Sequence, residues 1–461
     1  MGFLYRNHLR GAAVLSLALF SFAAELRAES LNQALIEAYR KNPALNAARA
    51  GQRAVDENVP QALSGWRPTV SAQGTAGVTG SYSAFPGGTS TYFNPTSENL
   101  TIKLDQPVFR GFRTVEGTAY AEAQVKSGQQ QLLATEEQIL LNGIKAYVDT
   151  LRDRKILQIR QQNLGVLGAQ AKASSERFKA GELTRTDVAQ ADSSVAAARS
   201  ALALALANVK TSEATYAQYI GHAPGHLNPA PLARAPASLE QAYEIAHETN
   251  PNILAAAQAA DAAEHNIGVA KSGLLPQADL QGIYSITGTQ NGAPTSPLTN
   301  SSLTVQGIVT VPIYEGGQVY SQVRQAKQKA SQSRLSVIDA TRQVRAQVAS
   351  TWESFVANKQ SVAANVTAVS ASQLAFDGVK QEYAVGSRST VDVLNAEQSL
   401  LNAQIAVVSA QHDQLLASYQ LQSAIGHLTA RHMHLSPVYD VKEYYNDVHD
   451  KWIGSDAETL K

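Results

Sequence analysis

Apolar residues recur every seven positions along two long stretches of the chain, 108–223 and 313–436, which contain no proline. Ala, Gln, Leu, Val and Ser dominate both stretches, a composition that favours helices. A sustained seven-residue spacing predicts helices that supercoil along a narrow seam. In the second stretch the repeating positions are Val348, Phe355, Val362, Val369, Phe376 and Tyr383.

A glycine turn interrupts each of these helical stretches. "FKAGELTRTD" places Gly181, and "YAVGSRSTVD" places Gly386, where a left-handed glycine ends a helix. Thr184–Asp187 and Ser389–Asp392 then fit the capping-box pattern of a new helix start. The two segments therefore predict the tips of two helical hairpins.

Four shorter segments change from the seven-residue spacing to strict alternation of apolar and polar residues. Each has about ten residues, a length that suits a strand of a transmembrane barrel, although a soluble antiparallel sheet with one wet face alternates equally well. Four strands cannot close a barrel, which needs about eight. Either the sheet stays open, or several chains share one barrel. The predicted strands are 67–80, 98–108, 276–288 and 302–313.

The chain contains this arrangement twice. "LNQALIEAYRKNPALNAARA" from Leu31 aligns with "LEQAYEIAHETNPNILAAAQ" from Leu239 at an offset of 208 residues, and later segments align at an offset of 205. Self-similarity over about 200 residues indicates a duplicated unit. The predicted organisation is a signal sequence at 1–28, a first repeat at 29–222, a linker at 223–238, a second repeat at 239–427 and a tail at 428–461, with hairpin tips at 180–186 and 385–390.

Helix lengths within one unit fit together. A helix over 111–179 would be about 100 Å long, whereas helices over 31–65 and 186–220 would each be about 52 Å long. Two short helices stacked end to end therefore match the long one. The prediction is an elongated rod with three helical pieces in each unit.

Composition and charge narrow the class of protein. The 461 residues contain 38 Lys and Arg and 38 Asp and Glu, a balance that argues against binding to nucleic acid. Arg6 and Arg10 precede the apolar run "GAAVLSLALFSFAA", which indicates an exported protein. The chain has no cysteine, so neither a disulfide nor a lipidated N-terminal cysteine is expected. No transmembrane helix is predicted after the signal.

No catalytic constellation is recognisable. The ten histidines are scattered, and no glycine-rich phosphate loop follows a strand, so we expect neither an enzyme nor a cofactor. His222 and His427 follow Gly at matching helix ends. They suggest a metal pair or, more commonly, histidines beside terminal carbonyls, and the prediction is therefore that no metal is bound.

The duplicated unit, "QPVFRGFR", "VPIYEGGQV" and "YAVGSRSTVDVLNAEQSLLNAQ" together resemble the TolC family of outer-membrane channels. The resemblance covers essentially the whole mature sequence. It implies a mixed α and β fold and a homotrimer, in which each chain gives four strands to a twelve-stranded transmembrane β-barrel in outer-membrane lipid. The coiled-coil helices would form a periplasmic α-barrel that closes at the hairpin tips, and the linker and tail an equatorial belt.

The function implied by the resemblance is a passive exit duct. An inner-membrane pump of the ABC or RND type and a periplasmic adaptor (membrane fusion) protein would recruit it into a tripartite export system. The cargo, small toxic compounds or secreted proteins, stays open, because drug efflux and type I secretion look alike at this level. The alternative is a structural periplasmic coiled-coil rod or an adhesion protein, and the four strands of barrel length argue against it.

The resemblance also implies roles at the hairpin tips. Arg388 and Tyr383 on the second hairpin would be tethered to Thr186 and Asp187 on the first, partly across subunits. Asp392 occupies the place of a carboxylate ring at the closed periplasmic entrance. Asn395 stands where the family pattern has a second Asp, so a weaker block by cations is expected.

Local chemistry offers its own explanation for some of these residues. Asp187 and Asp392 fit as acids in the first turn of a helix, where the helix dipole favours negative charge. Arg388 precedes the helix start and has no such explanation. Three aromatic residues just past the strand ends predict an interfacial girdle, with packing among the helices as the alternative. They are Phe109, Phe112 and Tyr314.

Overall fold

A computed structural model gives the structure of the chain and describes residues 28–84, 86–88, 91–93, 96–290 and 298–456. The predicted signal sequence lies outside the described residues except for its last position, Ala28. Among the described residues, no helix combines the length and the apolar character needed to cross a membrane.

The first repeat consists of helices around two principal strands. Its elements are α1 (Leu31–Lys41), α2 (Pro43–Asp56), α3 (Asn58–Leu63), β1 (Thr69–Val78), β2 (Ser81–Ser83), β3 (Thr91–Phe93), β4 (Thr96–Arg110), α4 (Arg113–Lys179) and α5 (Arg185–Ile220). The short hairpin formed by β2 and β3 lies in a segment that the sequence analysis left between two strands.

The second repeat follows the same order, and the mixed α and β class is confirmed. Its elements are α6 (Leu239–Thr249), α7 (Pro251–Lys271), β5 (Gln277–Gln290), β6 (Leu298–Thr310), α8 (Gln318–Ala384) and α9 (Thr390–Ala424), and the tail adds α10 (Glu443–Val448). Both α4 and α8 have 67 residues, which corresponds to about 100 Å at about 1.5 Å per residue.

The four principal strands form one antiparallel sheet in the order β1-β4-β5-β6. The pairing of β4 with β5 joins the two repeats, and it shifts register between Pro107 and Phe109 because proline has no N–H to donate. This order leaves β1 and β6 at the two edges. Every residue of β1 is exposed in the single chain, and so are Thr299–Thr310 of β6.

The predicted N-terminal helix over 31–65 is broken, and this part of the prediction is wrong. Asn42 has an extended backbone with ψ of 120°, and its side chain accepts a hydrogen bond from the N–H of Ala44 at 2.9 Å. Pro43 is the cause, because a proline disfavours the helical conformation in the residue before it. The second repeat breaks in the same way, with Asn250 extended before Pro251.

These breaks are the places where the short helices meet end to end. The side-chain amide of Asn250 donates to the carbonyl of Ala424 at 2.9 Å, while its oxygen caps α7 at the N–H of Asn252. The hydroxyl of Thr249 donates to the carbonyl of Ile425 at 2.7 Å. One asparagine thus caps the start of α7 and satisfies a carbonyl at the end of α9 that has no partner within its own helix.

The first repeat has a looser version of this junction. Asn42 donates to the carbonyl of Tyr219 at 3.4 Å. Gly221 and Gly426 end the return helices at matching positions, with φ of +102° and +78°. A Cβ on Gly426 would lie 2.5 Å from the carbonyl oxygen of Thr249, whereas nothing lies within 4 Å of the corresponding point on Gly221. The close approach of the Thr249 backbone therefore requires glycine at position 426, in the junction of the second repeat.

The largest buried cluster lies around the first junction. It contains Leu35, Leu140 and Tyr147, and the tail adds Leu428 and Leu435. The hydroxyl of Tyr147 lies 2.7 Å from the carbonyl oxygen of Asn228 in the linker. The N-terminal helices, the linker and the start of the tail therefore share one core at the middle of the rod.

The tail does not remain at this level, in contrast to the expected belt over 428–461. Beyond Val441, Tyr444 donates to Glu57 at 2.7 Å, and Tyr445 packs against Val59. The physical reason is that α2 and α3 present arginines and an apolar patch that the tyrosines of the tail can cover. The described tail therefore extends from the middle of the rod along α2 and α3.

We expect Gly426→Ala to destabilise the protein more than Gly221→Ala does. Both alanines would occupy a left-handed backbone, at about 1–2 kcal/mol each. Only the alanine at 426 would also collide with the backbone of Thr249. Heat and urea unfolding of the purified protein measure the difference. Equal losses of stability in the two variants would mean that the close approach of the Thr249 backbone to residue 426 does not require glycine.

Candidate functional site

Both hairpin tips are built from the same helix-ending turn. Gly181 and Gly386 each have φ of +81°, which confirms the predicted left-handed glycines. The N–H of Glu182 donates to the carbonyl of Arg177, and the N–H of Ser387 donates to that of Glu382, each at 2.9 Å. These hydrogen bonds are those of a Schellman motif.

A capping box starts the return helix on each hairpin, as predicted. The carboxylate of Asp187 accepts the N–H of Thr184 at 3.0 Å, and that of Asp392 accepts the N–H of Ser389 at 2.9 Å. Hydrogen bonds from Thr184 lower the pKa of Asp187, and those from the backbone and side chain of Ser389 lower the pKa of Asp392. Both carboxylates are therefore charged at neutral pH.

Arg388 is held within its own hairpin in the single chain. Its Nε donates to Oε2 of Glu382 at 2.7 Å, and both side chains are about half exposed. In the described part of the chain, Arg388 makes no hydrogen bond or ion pair with Thr186 or Asp187.

Tyr383 lies where the two hairpins meet. Its ring centroid is 4.9 Å from the guanidinium carbon of Arg177 on the first hairpin, and its hydroxyl is 3.4 Å from that of Thr390. Thr390 is buried, and its hydroxyl adds to the effect of Thr184 in lowering the pKa of Asp187. The structure therefore brings Tyr383 and Asp187 into one small polar cluster between the tips.

Opposite charges occupy matching positions of the two tips. Arg177 and Glu382 are related by the repeat offset of 205 residues, and each forms an ion pair across its own turn. Arg177 pairs with Glu182 at 2.8 Å. The sequence analysis did not identify these residues, although aligning the two repeats puts Arg177 and Glu382 at the same position of the alignment. The residues missed at the tips are Arg177, Glu182, Glu382 and Thr390.

The predicted charge-ring residues share the first turns of α9. Asp392 is partly exposed and Asn395 is exposed. Because they are three residues apart in one helix, their side chains lie on the same face. Asp392 brings a carboxylate to this face, and Asn395 brings only a neutral amide.

Above the tips, α4 and α9 meet along a seam that has two polar levels. Near the tips, Asn163 donates to Glu397 at 2.9 Å, and both side chains are buried. Higher up, Nε2 of the buried His412 lies 2.7 Å from Oδ1 of Asp149. Between them lies an apolar cluster that includes Ile159, Leu401 and Val408.

Charge is concentrated at the upper level of the seam. Burial of Asp149 opposes its charge, but the hydrogen bond from His412 and the cation of Arg152 at 3.0 Å keep its pKa below the ordinary value. Nδ1 of His412 faces Asp413 at 2.8 Å. The sequence analysis did not identify this cluster, because Asp149 and His412 are 263 residues apart along the chain.

Two of the three predicted aromatic residues, Phe112 and Tyr314, lie just beyond the ends of β4 and β6, whereas Phe109 lies within β4 and pairs with Ala278 of β5. The rings of Phe109 and Phe112 pack edge to face with centroids 5.3 Å apart. The side chains of Phe112 and Tyr314 remain 56% and 79% exposed.

The two glycine-histidine pairs lie at separate junctions. His222 is 3.3 Å from Glu29, and the ring of His427 stacks on that of His432 at 4.4 Å. Within the described ranges, no group of three or more His, Cys, Asp or Glu could hold a metal ion.

Comparison with known proteins adds independent information. A family model described as "Outer membrane efflux protein" matches residues 34–222 and 242–427, one match in each repeat. The chain is 40% identical to the outer membrane efflux protein BepC of Brucella suis biovar 1 over 428 residues, which cover 92% of each protein. It is 26% identical to the outer membrane protein TolC of Escherichia coli K12, over 90% of this chain and 86% of TolC.

A solved structure shows the same fold. The CmeC outer membrane channel of Campylobacter jejuni matches with a TM-score of 0.76 and 15% identity, over 97% of this chain and 98% of CmeC.

These matches confirm the resemblance, the fold class and the place of the protein in the outer membrane, with a large periplasmic part. They also support an outer-membrane exit duct, and the relatives are channel proteins rather than enzymes. The chain belongs to the outer membrane efflux protein family.

Proposed function

We propose that the protein is a passive, homotrimeric exit duct of a tripartite export system. Each chain contributes four strands to a shared twelve-stranded barrel and two helical hairpins to a periplasmic tunnel. A periplasmic adaptor and an inner-membrane pump of the ABC or RND type recruit it and supply the energy.

The observation that carries this proposal is the unpartnered sheet. Both edge strands expose large apolar side chains in the single chain, and an open apolar edge invites pairing with another strand. If β1 of one copy pairs with β6 of the next, three copies cover all edges and give twelve strands. A rod without a barrel would leave this sheet uncovered. The exposed residues are Val70, Val78, Leu303, Val305 and Val309.

The helical surfaces support a passive role. A groove of about 600 Å³ between α3, α4, α7 and α8 is lined mainly by small and uncharged polar side chains, and Lys329 is the charged residue among them. If this groove faces the inside of the proposed tunnel, it offers no strong site that would retain one kind of cargo. The polar residues that line it include Gln124, Gln131, Asn266, Gln332 and Ser333.

Small toxic compounds are the proposed cargo, on the strength of the 40% identity to a protein named for efflux. Export of a secreted protein is the second candidate, because the polar groove suits either cargo. Deletion of the gene separates the two, since the first cargo predicts sensitivity to toxic compounds and the second predicts loss of a secreted protein.

Disulfide crosslinking tests the trimer, because the chain has no native cysteine. We expect Gly74→Cys on β1, combined with single cysteines scanned along Thr304–Thr310 of β6, to give covalent trimers. The two edge strands of one chain are three strand spacings, or about 14 Å, apart, so a disulfide within the chain is out of reach. Denaturing gels of oxidised membranes report the product.

Thr101→Cys on the central strand β4 is the matched control for this crosslink. It is already flanked by β1 and β5 and should give no covalent trimer with the same β6 cysteines. Monomers alone with every β1–β6 pair, or equal crosslinking from β4, would contradict the shared barrel.

For the hairpin tips, we propose a gate in which Arg388 also reaches Thr186 and Asp187 of a neighbouring subunit. The link within one subunit is the cluster of Tyr383, Thr390 and Asp187. Arg388 supports the link between subunits because it is half exposed and its contact in the single chain is a surface ion pair. Such pairs are weak and exchange partners readily.

Arg388→Ser combined with Tyr383→Phe should raise the single-channel conductance in planar bilayers while the trimer stays intact. The two substitutions remove the guanidinium and the hydroxyl but keep the aromatic ring. The control is Arg324→Ser with Tyr320→Phe, the same chemical changes at exposed positions near the start of α8. A double variant that conducts like the wild type would mean that the α4–α9 seam alone holds the tips closed.

Asp392→Asn should weaken the block of the channel by divalent or trivalent cations added from the periplasmic side. The amide oxygen can still accept the N–H of Ser389, so the helix cap survives while the charge is lost. Asp392→Glu is the control that keeps the charge, and Asn395→Asp should strengthen the block. An unchanged block in both Asp392→Asn and Asn395→Asp would contradict the carboxylate ring.

A further inference from the structure

The C-terminal tail is a strap that follows α2 and α3 away from the middle of the rod. The guanidinium carbon of Arg49 lies 4.5 Å from the ring centroid of Tyr39 and 4.9 Å from that of Tyr439 in the tail. Further on, Tyr444 donates to Glu57, and burial together with this carboxylate raises the pKa of Tyr444 to about 12. Successive contacts therefore fix the path of the tail.

The described tail passes beside the start of the first strand. Nη1 of Arg67 donates to the carbonyl of Lys451 at 2.8 Å, and the guanidinium carbon of Arg67 lies 4.8 Å from the ring centroid of Trp452. Arg67 precedes β1 by two residues. Between Arg49 and Arg67 the chain is nearly all helical and advances by about 27 Å. The tail thus delivers Trp452 to the level at which the strands begin.

Two neighbouring apolar side chains of the tail are exposed at this level, although the preceding part of the tail is packed. Trp452 is 66% exposed and the next residue, Ile453, is 90% exposed. Phe112 and Tyr314 are exposed at the ends of β4 and β6, at the same side of the sheet. Exposed aromatic and apolar side chains therefore occur at three places around one end of the strands.

The backbone at Phe112 gives independent support. Phe112 has φ of +65°, a left-handed conformation that strains a residue with a side chain, whereas Gly317 occupies the matching position of the second repeat with φ of +82°. Phe112 keeps an exposed aromatic ring where glycine would fit without strain. A function of exposed aromatic rings at this level of the molecule would explain why a phenylalanine occupies this strained position.

We propose that Trp452 and Ile453 form a membrane anchor that enters the headgroup level of the inner leaflet of the outer membrane. The inference rests on the proposed function, because the strand ends mark the membrane boundary only if the strands span the membrane. Tryptophan prefers this interface, and the cations of Arg67 and Lys451 beside it offset the exposed carboxylate of Asp450.

A phospholipid surface fits this tip better than a protein partner does. Two side chains are far too small for a stable protein interface, which buries about 1,000 Å² or more. They suffice to hold a strap at a bilayer when the rest of the protein is already in the membrane. The tail then connects the middle of the periplasmic rod to the lipid surface.

Fluorescence quenching tests the anchor, because the chain has three tryptophans, Trp66, Trp352 and Trp452. The protein with Trp66→Phe and Trp352→Phe keeps only Trp452. In phosphatidylethanolamine and phosphatidylglycerol vesicles, we expect Trp452 to lose most of its emission when the acyl chains carry bromine near the headgroups. The same protein in unbrominated vesicles is the reference.

The matched control keeps only Trp352, through Trp66→Phe and Trp452→Phe. Trp352 lies 34 residues into α8, about 51 Å from the start of that helix, and its emission should be the same in both kinds of vesicle. Should Trp66→Phe impair folding, Ile453→Cys labelled with a fluorophore in the otherwise wild-type chain gives the same readout.

Unquenched Trp452 would overturn the anchor. Emission typical of water would place the residue in the periplasm, and unquenched emission typical of an apolar site would place it against a neighbouring subunit. Covalent trimers through β1 and β6 together with unquenched Trp452 would refute the anchor and leave the exit duct standing. Failure of that crosslink would instead refute the shared barrel on which the anchor rests.

Discussion

The end-to-end junction of the short helices is the constraint on which the rest of the molecule depends. The helices α4 and α8 each run unbroken for 67 residues, whereas α5 and α9 have 36 and 35. A continuous partner for the long helices exists only if α9 abuts α7 and α5 abuts α2. Asn250 and the missing side chain of Gly426 permit this contact in the second repeat. The linker and the start of the tail then pack around the junctions.

The junction also determines where the second hairpin can move. Its upper end is fixed to α7, and the seam with α4 holds it through His412 and, nearer the tip, through Glu397. Below Asn163 the described residues form no further buried polar pair between α4 and α9, and the apolar packing of Leu394 against Leu167 and Ala198 continues there. In the proposed gate, opening is therefore a bending of the hairpin ends about the lower polar level of the seam. In that proposal the tip contacts set the closed position, and the seam sets the hinge.

Local signals explain what the sequence predicted well. The seven-residue spacing, the glycine turns, the capping boxes and the alternating strands all depend on residues close together in the chain, and each is present. The helix break at Asn42 could have been predicted from local sequence as well, since both repeats carry Asn-Pro at matching positions. The partner of His412 and the path of the tail could not be predicted in this way. Both depend on contacts between residues that are hundreds of positions apart and follow no sequence period.

The divergence of the two repeats gives the proposed gate a way to be held closed and still open readily. The first hairpin has Phe178 and Leu183 where the second has Tyr383 and Arg388, so the groups of the proposed tether belong to the second hairpin alone. Glu382 sits at the negative end of α8, where a carboxylate is unfavourable, and Arg388 neutralises it. In the proposed gate, a neighbouring Asp187 competes with Glu382 for the same guanidinium. When the tether breaks, Arg388 still has Glu382 as its partner, and the Asp187 carboxylate keeps the hydrogen bonds of its capping box.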